Sequence, residues 1–329
     1  MATYKDIKGS NVQSIAGDPS NPVKGQIWYN STAKALKGEI FAAAAWAAGG
    51  NLGSGRYSRA TFGTQTSAVM AGGSPPSTTN ATEKYDGSSW TSSGNLNTSR
   101  RGIAGCGIST AGLAFGGTTA PPSSTSAATE EFDGSSWTNQ TGMPQGVRQQ
   151  FGAGVQTAAF ASGGFLDPPA APINNTYEYN GSSWTAGGAM GHGRADGQAC
   201  GTLTAGLAVG GRDSNPPPSA TPAADTVEEY DGSSWTAGGA YPTAMNALGV
   251  AGSQTAAVAF GGNTGGSQSA ANLYDGTSFT STTALNTARG YVSGCGTQTA
   301  GLAAGGSPTG TATEEFSGAA NQTKTIDVD

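Results

Sequence analysis

Six short apolar runs punctuate the chain: SAVMA, AGLAF, AAFAS, AGLAV, AAVAF and AGLAA, each ending at a Gly-Gly pair. Five residues is strand length, and no segment sustains apolar residues at helical spacing between capping residues, so the pattern predicts strands and almost no helix. Upstream of each run lies a second stretch of small residues, such as GIAGCGI. Downstream, past a polar segment of varying length, comes an alternating TEEF or VEEY, then a turn, then SSW.

These marks recur in register. The second aromatic of the phrase falls at Trp46, Trp90, Trp137, Trp184, Trp235 and Phe279. The Gly-Gly pairs begin at Gly72, Gly116, Gly163, Gly210, Gly261 and Gly305. From each aromatic to the next Gly-Gly is 26 residues in all six copies, whereas the return distance ranges from 18 to 25. One part of the unit is rigid and the other absorbs every insertion. Five residues before the Trp or Phe stands another aromatic: Phe41, Tyr85, Phe132, Tyr179, Tyr230 and Tyr274. A unit of 44–51 residues with these marks accommodates four strands. Strand a is the small-residue run, b ends in Gly-Gly, c carries the first aromatic and d the second. Asp-Gly between c and d, or Asn180-Gly181 in the third copy, signals a tight hairpin, because Gly accepts the positive φ that such turns need.

Repeats of this length built from four strands point to propeller blades. The marks together resemble the kelch repeat: apolar residues, Gly-Gly, then an aromatic, a short gap and Trp. That family's Arg at the entry to strand a is matched by Arg56, Arg100, Arg194 and Arg289, with Arg148 one place off and Met245 departing. The resemblance spans residues 39–318. It implies an all-β, six-bladed β-propeller of four-stranded kelch-like blades, preceded by an extended arm (1–38) and followed by a tail (319–329). The C-terminal TEEFSG has no Trp after it, so residues 40–48 are expected to pair with 312–318 and complete the last blade; the alternative is completion by NQTKTIDV.

The arm differs from the rest in holding five of the seven lysines. GQIWYNSTAKALKGEIF reads as two short strands around an NSTAK turn. With AGDPSNPVKG before it, this segment is similar to segments of structural proteins of tailed bacteriophages, particularly those of marine bacteria. That likeness implies a virion component (tail, fibre or head decoration) attached through residues 1–38 to other virion proteins. It would present its propeller to a host-surface glycan or protein, and a homo-oligomer is compatible with it. The other reading is a bacterial glycan- or protein-binding module unconnected with a virion.

Composition narrows the chemistry. A net charge of −6 offers no basic footprint for nucleic acid. The N-terminus lacks the apolar core of a signal peptide, and no apolar run approaches membrane-spanning length, so neither export by that route nor membrane insertion is expected. The single histidine, His192, lies in the loop AMGHGRADG, which leaves no His-rich metal site and no triad beyond that one residue. Copper oxidases with kelch-like propellers need several histidines. The aspartate box of sialidase-type propellers has an Asp–Trp spacing one residue longer than DGSSW. The carboxylates occupy equivalent repeat positions instead of forming an unequal acid/base pair. We therefore expect no catalytic residues, no cofactor and no metal. Cys106, Cys200 and Cys295 each precede their Gly-Gly by ten residues. They read as small buried residues interchangeable with Ala; were all three to face the channel, they would form a ring able to hold a soft metal.

Because strands alternate in direction, the b–c and d–a loops share one face. The b–c loops carry the length variation and are Pro-rich, which lowers the ordering cost of binding. Candidate binding residues on that face are Asp167, Arg212, Asp213, His192, Tyr241, Arg101 and Arg148. The regularly spaced arginines read instead as pins paired with Glu83, Glu130 and Glu228.

Overall fold

The computed structural model describes residues 12–57, 59–74, 77–119, 124–167, 171–213 and 223–326. The chain start, the Pro-rich centres of several b–c loops and the last three residues lie outside these. Among the described residues every regular element is a strand, and no helix is long and apolar enough to cross a membrane.

Residues 46–317 form one unit, and residues 1–45 with 318–329 another. The larger unit is propeller-like, with six four-stranded antiparallel sheets. In the first, strands a to d are Ala60–Thr64, Ser67–Ala71, Thr82–Tyr85 and Trp90–Ser93. The next four begin at Ala104, Phe151, Gln198 and Gly249 and repeat the order. In the sixth, Ser293–Gly296, Ala300–Ala304 and Thr313–Ser317 are joined by Ala45–Ala48 from the start of the chain.

The Gly-Gly pairs explain how neighbouring sheets meet. The first Gly has φ of 61–68° and the second 97–109° in all six copies, backbone that L side chains enter only with strain. The second Gly donates its N–H to a carbonyl at the entry of the following sheet: Gly73 to Arg100 (2.8 Å), Gly117 to Val147 (2.7 Å), Gly164 to Arg194 (2.7 Å). Gly211 to Met245, Gly262 to Arg289 and Gly306 to Arg56 continue the series, the last running from the sixth sheet to the first.

The aromatic phrase joins sheets from the other side. Trp90 Nε1 donates to Thr313 Oγ1 of the preceding sheet at 2.9 Å, and Trp137, Trp184 and Trp235 bond Thr82, Thr129 and Thr176 in the same way. The first aromatic, when Tyr, donates its hydroxyl to a Glu of the preceding sheet, as Tyr85 does to Glu315 (2.6 Å) and Tyr274 to Glu229 (2.6 Å). The aspartate of the turn is tied down locally. Asp86 Oδ1 accepts from the N–H groups of Ser88 and Ser89, both at 2.8 Å, and Asp133, Asp231 and Asp275 repeat the arrangement. Those hydrogen bonds hold Asp86, Asp231 and Asp275 at about 2, below the usual carboxylate range.

One register mark fails. Trp46 packs on Phe316, ring centroids 4.9 Å apart, as Trp137 packs on Phe132, so the sixth sheet draws its two aromatics from opposite ends of the chain. Phe41 is half exposed on the strand Ala35–Ala42 of the smaller unit. That unit is a four-stranded sheet of Gln13–Ile15, Ile27–Asn30, Ala35–Ala42 and Ala320–Thr325. The hairpin around NSTAK forms as expected, but 320–325 is a strand on Ala35–Ala42 and not a free tail. Trp28 is wholly buried, and Asp18 accepts from both its indole (3.0 Å) and Asn30 (2.8 Å).

Candidate functional site

The entries to the six strands a build the site. Four are pinned by buried ion pairs: Arg56–Glu83 (2.7 Å), Arg100–Glu130 (2.8 Å), Arg194–Glu228 (2.7 Å) and Arg289–Glu314 (2.9 Å). Arg100, Arg194 and Arg289 also serve backbone carbonyls, as Arg100 does those of Gly116 (2.7 Å) and Ala128 (2.8 Å). In the third and fifth sheets the Arg position is Val147 or Met245, and the Glu position is then Tyr177 or Asn272. Both charges vanish together, so neither is left buried alone. Arg148 therefore does not stand for a displaced pin. It is equivalent to Arg101 and Tyr57, one residue further on, where side chains reach the loop face.

Tyr241 is corrected by the same alignment. It is 2% exposed, occupies the position held elsewhere by Leu52, Leu96, Met143, Met190 and Leu285, and accepts a hydrogen bond from Asn272 (3.0 Å). It belongs to the core of the uncharged fifth entry and cannot meet a partner.

Two residues before strand a, five entries share a left-handed backbone: Gly102 (φ 62°), Gln149 (57°), Asp196 (58°), Ala247 (54°) and Tyr291 (53°). The sixth equivalent, Ser58, lies outside the described residues. The conformation has a tertiary cause. Gln149 donates its N–H to Gly102 O (2.7 Å), Asp196 to Gln149 O (3.0 Å) and Ala247 to Asp196 O (2.6 Å), so the backbone links one sheet to the next. At Tyr291 the carbonyl is taken by the Arg59 guanidinium instead (2.9 Å). A non-Gly residue in this region costs about 1–2 kcal/mol, which these bonds offset. The backbone is repeated while the side chains are Gly, Gln, Asp, Ala and Tyr.

Around this ring lie two cavities that share Gly102, Gln149 and Tyr291. The outer, about 330 Å³, is lined by Tyr57, Arg101, Arg148, Asp167 and Thr118 as well. Tyr57 and Tyr291 stand with ring centroids 5.3 Å apart; Arg148 pairs with Asp167 at 3.3 Å and lies over the Phe165 ring at 4.8 Å. Arg212 pairs with buried Asp196 (3.2 Å) and donates to the Tyr291 hydroxyl (3.1 Å). Burial raises the Asp196 carboxyl above its usual range, against the opposing pull of Arg212 and Arg148. The inner cavity, about 90 Å³, reaches Arg59, Thr61, Gln150 and Gln198. Gln198 reaches across from the fourth sheet: its amide donates to Gly294 O (3.1 Å) and accepts from Val250 N (2.9 Å).

Of the candidate residues, Arg101, Arg148 and Asp167 therefore line one cavity, and Arg212 reaches its Tyr291. Asp213 is half buried opposite Arg194 in a short strand pair, and His192 is exposed away from both cavities. Tyr57, Gln149, Asp196 and Tyr291 were missed, because residues this dissimilar give no sequence sign of sharing a position. All three cysteines border one cavity of about 110 Å³ formed by the strands a, and each also packs against apolar neighbours of its own sheet. Cys106 lies with Leu113 and Phe115, Cys200 with Leu207, and Cys295 with Leu302. Burial pushes each thiol up to about 12, and no cluster of metal-ligating side chains occurs among the described residues.

No family model and no curated relative matches the chain. Its fold is similar to that of the solved structure of YjhT, at 13% identity with a TM-score of 0.66, over 83% of this chain and 99% of that one.

Proposed function

We propose that the chain is a non-enzymatic structural protein of a tailed-phage virion. In this reading it is a six-bladed kelch-like propeller whose last blade is completed by the N-terminal strand. It is held to other virion proteins through its N-terminal segment and turns its loop face to a glycan or protein of the host surface. The observation that carries the recognition half is the ring of entries. A backbone fixed by sheet-to-sheet hydrogen bonds displays a different side chain at each described position, which is how a rigid scaffold supports altered specificity. The paired tyrosines and the arginines around the outer cavity suit the flat apolar faces and hydroxyls of a sugar. For attachment, five of the seven large apolar side chains exposed among the described residues lie in the smaller unit: Val12, Val23, Tyr29, Ile40 and Phe41. Exposed apolar surface of that kind marks a docking face, and the likeness of this segment to tailed-phage proteins agrees.

The test of recognition is adsorption of particles, or of purified protein, to host cells after Arg148→Ala combined with Tyr57→Ala. Loss of binding with an unchanged circular dichroism spectrum is expected, and unchanged adsorption would refute it. Deleting residues 1–38 should abolish incorporation into particles; a truncated protein that still incorporates attaches elsewhere. Flanking portal, sheath or fibre genes are expected, and metabolic neighbours would favour the bacterial module.

A further inference from the structure

Among the described residues, Arg59 is the buried arginine of the entries that has no ion pair. It is 5% exposed, and no carboxylate lies within ion-pairing distance of it among the described residues. Its two terminal nitrogens are held by neutral carbonyls, of Tyr291 and Ala304. Its Nε has no partner, as is true also of Arg56, Arg100, Arg194 and Arg289, so what sets Arg59 apart is the unpaired charge and the cavity it lines. Burial above all, and then the positive charges of Arg56 and Arg289, pull its guanidinium down to about 9, still charged at neutral pH. Those two arginines are each matched by a glutamate, Glu83 and Glu314, whereas Arg59 is not, and a buried cation without a partner costs stability unless something negative stands near it.

The same cavity collects two more orphans. Thr61 Oγ1 and Gln150 Oε1 are buried without a hydrogen-bond partner, and both residues line the 90 Å³ space with Arg59. Three unsatisfied polar groups in one cavity indicate an occupant, since native interiors leave few such groups unpaired. Two of the three, the Arg59 N–H and the Thr61 hydroxyl, donate; Gln150 accepts, as from a water beside the occupant. Asp196 also borders the space, but its carboxylate is engaged by Arg212 and Gln149 and does not neutralise Arg59.

We propose that the inner cavity is an anion site in which a carboxylate group accepts from Arg59 Nε and Thr61 Oγ1. The cavity volume fits a carboxylate with a water or two, and two donors match its two oxygens. The site is a property of the larger unit alone and does not rest on the recognition reading. The carboxylate has two sources, a free small acid or the acid group of a glycan that enters through the outer cavity.

The experiment is titration of the full-length protein with ¹³C-formate at constant ionic strength, followed by NMR and by Tm, with galacturonate in a parallel arm. Saturable formate binding is expected, with a Tm that rises with concentration. Arg59→Met should weaken it by at least about tenfold, the loss of a charge-assisted hydrogen bond, and Thr61→Val by less. Binding of formate alone assigns the free acid, and binding of both assigns the glycan. If Arg59→Met does not fold, Thr61→Val and Arg59→Lys, which keeps the charge and loses Nε, serve instead. No saturation in the wild type, or equal responses in the variants, would overturn the site and leave water as the occupant. Host adsorption measured on the same variants separates this outcome from the recognition reading.

Discussion

Replacing Arg100 by Met removes one half of a buried pair and leaves Glu130, which has no exposed surface, facing a thioether. The carboxylate keeps only the N–H of Asn97 (2.6 Å), the Gly116 carbonyl loses the Arg100 donor, and the Ala128 carbonyl keeps only the N–H of Gly116 (3.0 Å). Breaking a buried pair from one side costs about 3–5 kcal/mol, a large share of a domain's total stability. The protein contains its own solution to that loss. In the fifth sheet Met245 stands at the Arg position, Asn272 at the Glu position, and Tyr241 supplies the hydroxyl to which the Asn272 amide donates. Grafting all three, as Leu96→Tyr, Arg100→Met and Glu130→Asn, places an uncharged, internally bonded set in the second sheet.

The expectation is that Arg100→Met and Glu130→Asn each lower stability by about 3 kcal/mol or more, and that the triple variant recovers most of the loss. Single losses that sum to about 6 kcal/mol and a triple variant that costs only about 1–2 imply a coupling of about 4–5 kcal/mol within the set. Urea unfolding followed by tryptophan fluorescence measures it, with the m-value checked for constancy. A triple variant no more stable than the sum of its parts would refute the idea that the two versions of the entry are interchangeable modules.

Three further outcomes follow from the geometry. The turn aspartates, lowered below their ordinary value by hydrogen bonds, contribute stability that is complete above about pH 4 and lost as pH falls toward 2. Asn180 makes the same bonds without titrating (3.0 and 2.9 Å), so converting Asp86, Asp133, Asp231 and Asp275 to Asn should flatten the acid limb of a Tm–pH curve; an unchanged limb rejects the turns as its source. Gly261→Ala would put a Cβ 2.7 Å from Arg289 O at φ 63° and should cost at least about 2 kcal/mol in urea unfolding, whereas a neutral result would mean that the junction of fifth and sixth sheets yields easily. Thiol-reagent labelling at pH 8 should proceed for all three cysteines only at the rate of unfolding, because burial holds them protonated; fast labelling of the native protein would contradict their placement.

The strands were legible because their signals are local. A five-residue apolar run, Gly-Gly and Asp-Gly each constrain a few dihedrals, and six copies expose the constant spacing. Phe41 was misassigned because spacing says nothing about which strand lies alongside: five residues before Trp46 is the correct offset, but Phe316 arrives from the far end of the chain. Arg148 and Tyr241 were read one at a time, and each changes meaning once its partner position is included. Val147 goes with Tyr177, and Met245 with Asn272 and Tyr241. That signal was present in the sequence, as paired departures from the repeat.

The ring of left-handed entries was not legible, and the reason bears on function. Propensity would place Gly or Asn at such positions, yet Gln149, Ala247 and Tyr291 occupy them, because the conformation is imposed by hydrogen bonds between sheets and not by the residue itself. Where tertiary bonding dictates the backbone, the side chain is released from conformational duty. Exchanging Ala247 for another residue then alters the lining of the inner cavity at little cost to the scaffold, since the strain of a non-Gly residue is already borne there. Sequence freedom and cavity lining thus coincide for one physical cause, and the ring positions are where a change of side chain in that lining is least costly to the fold.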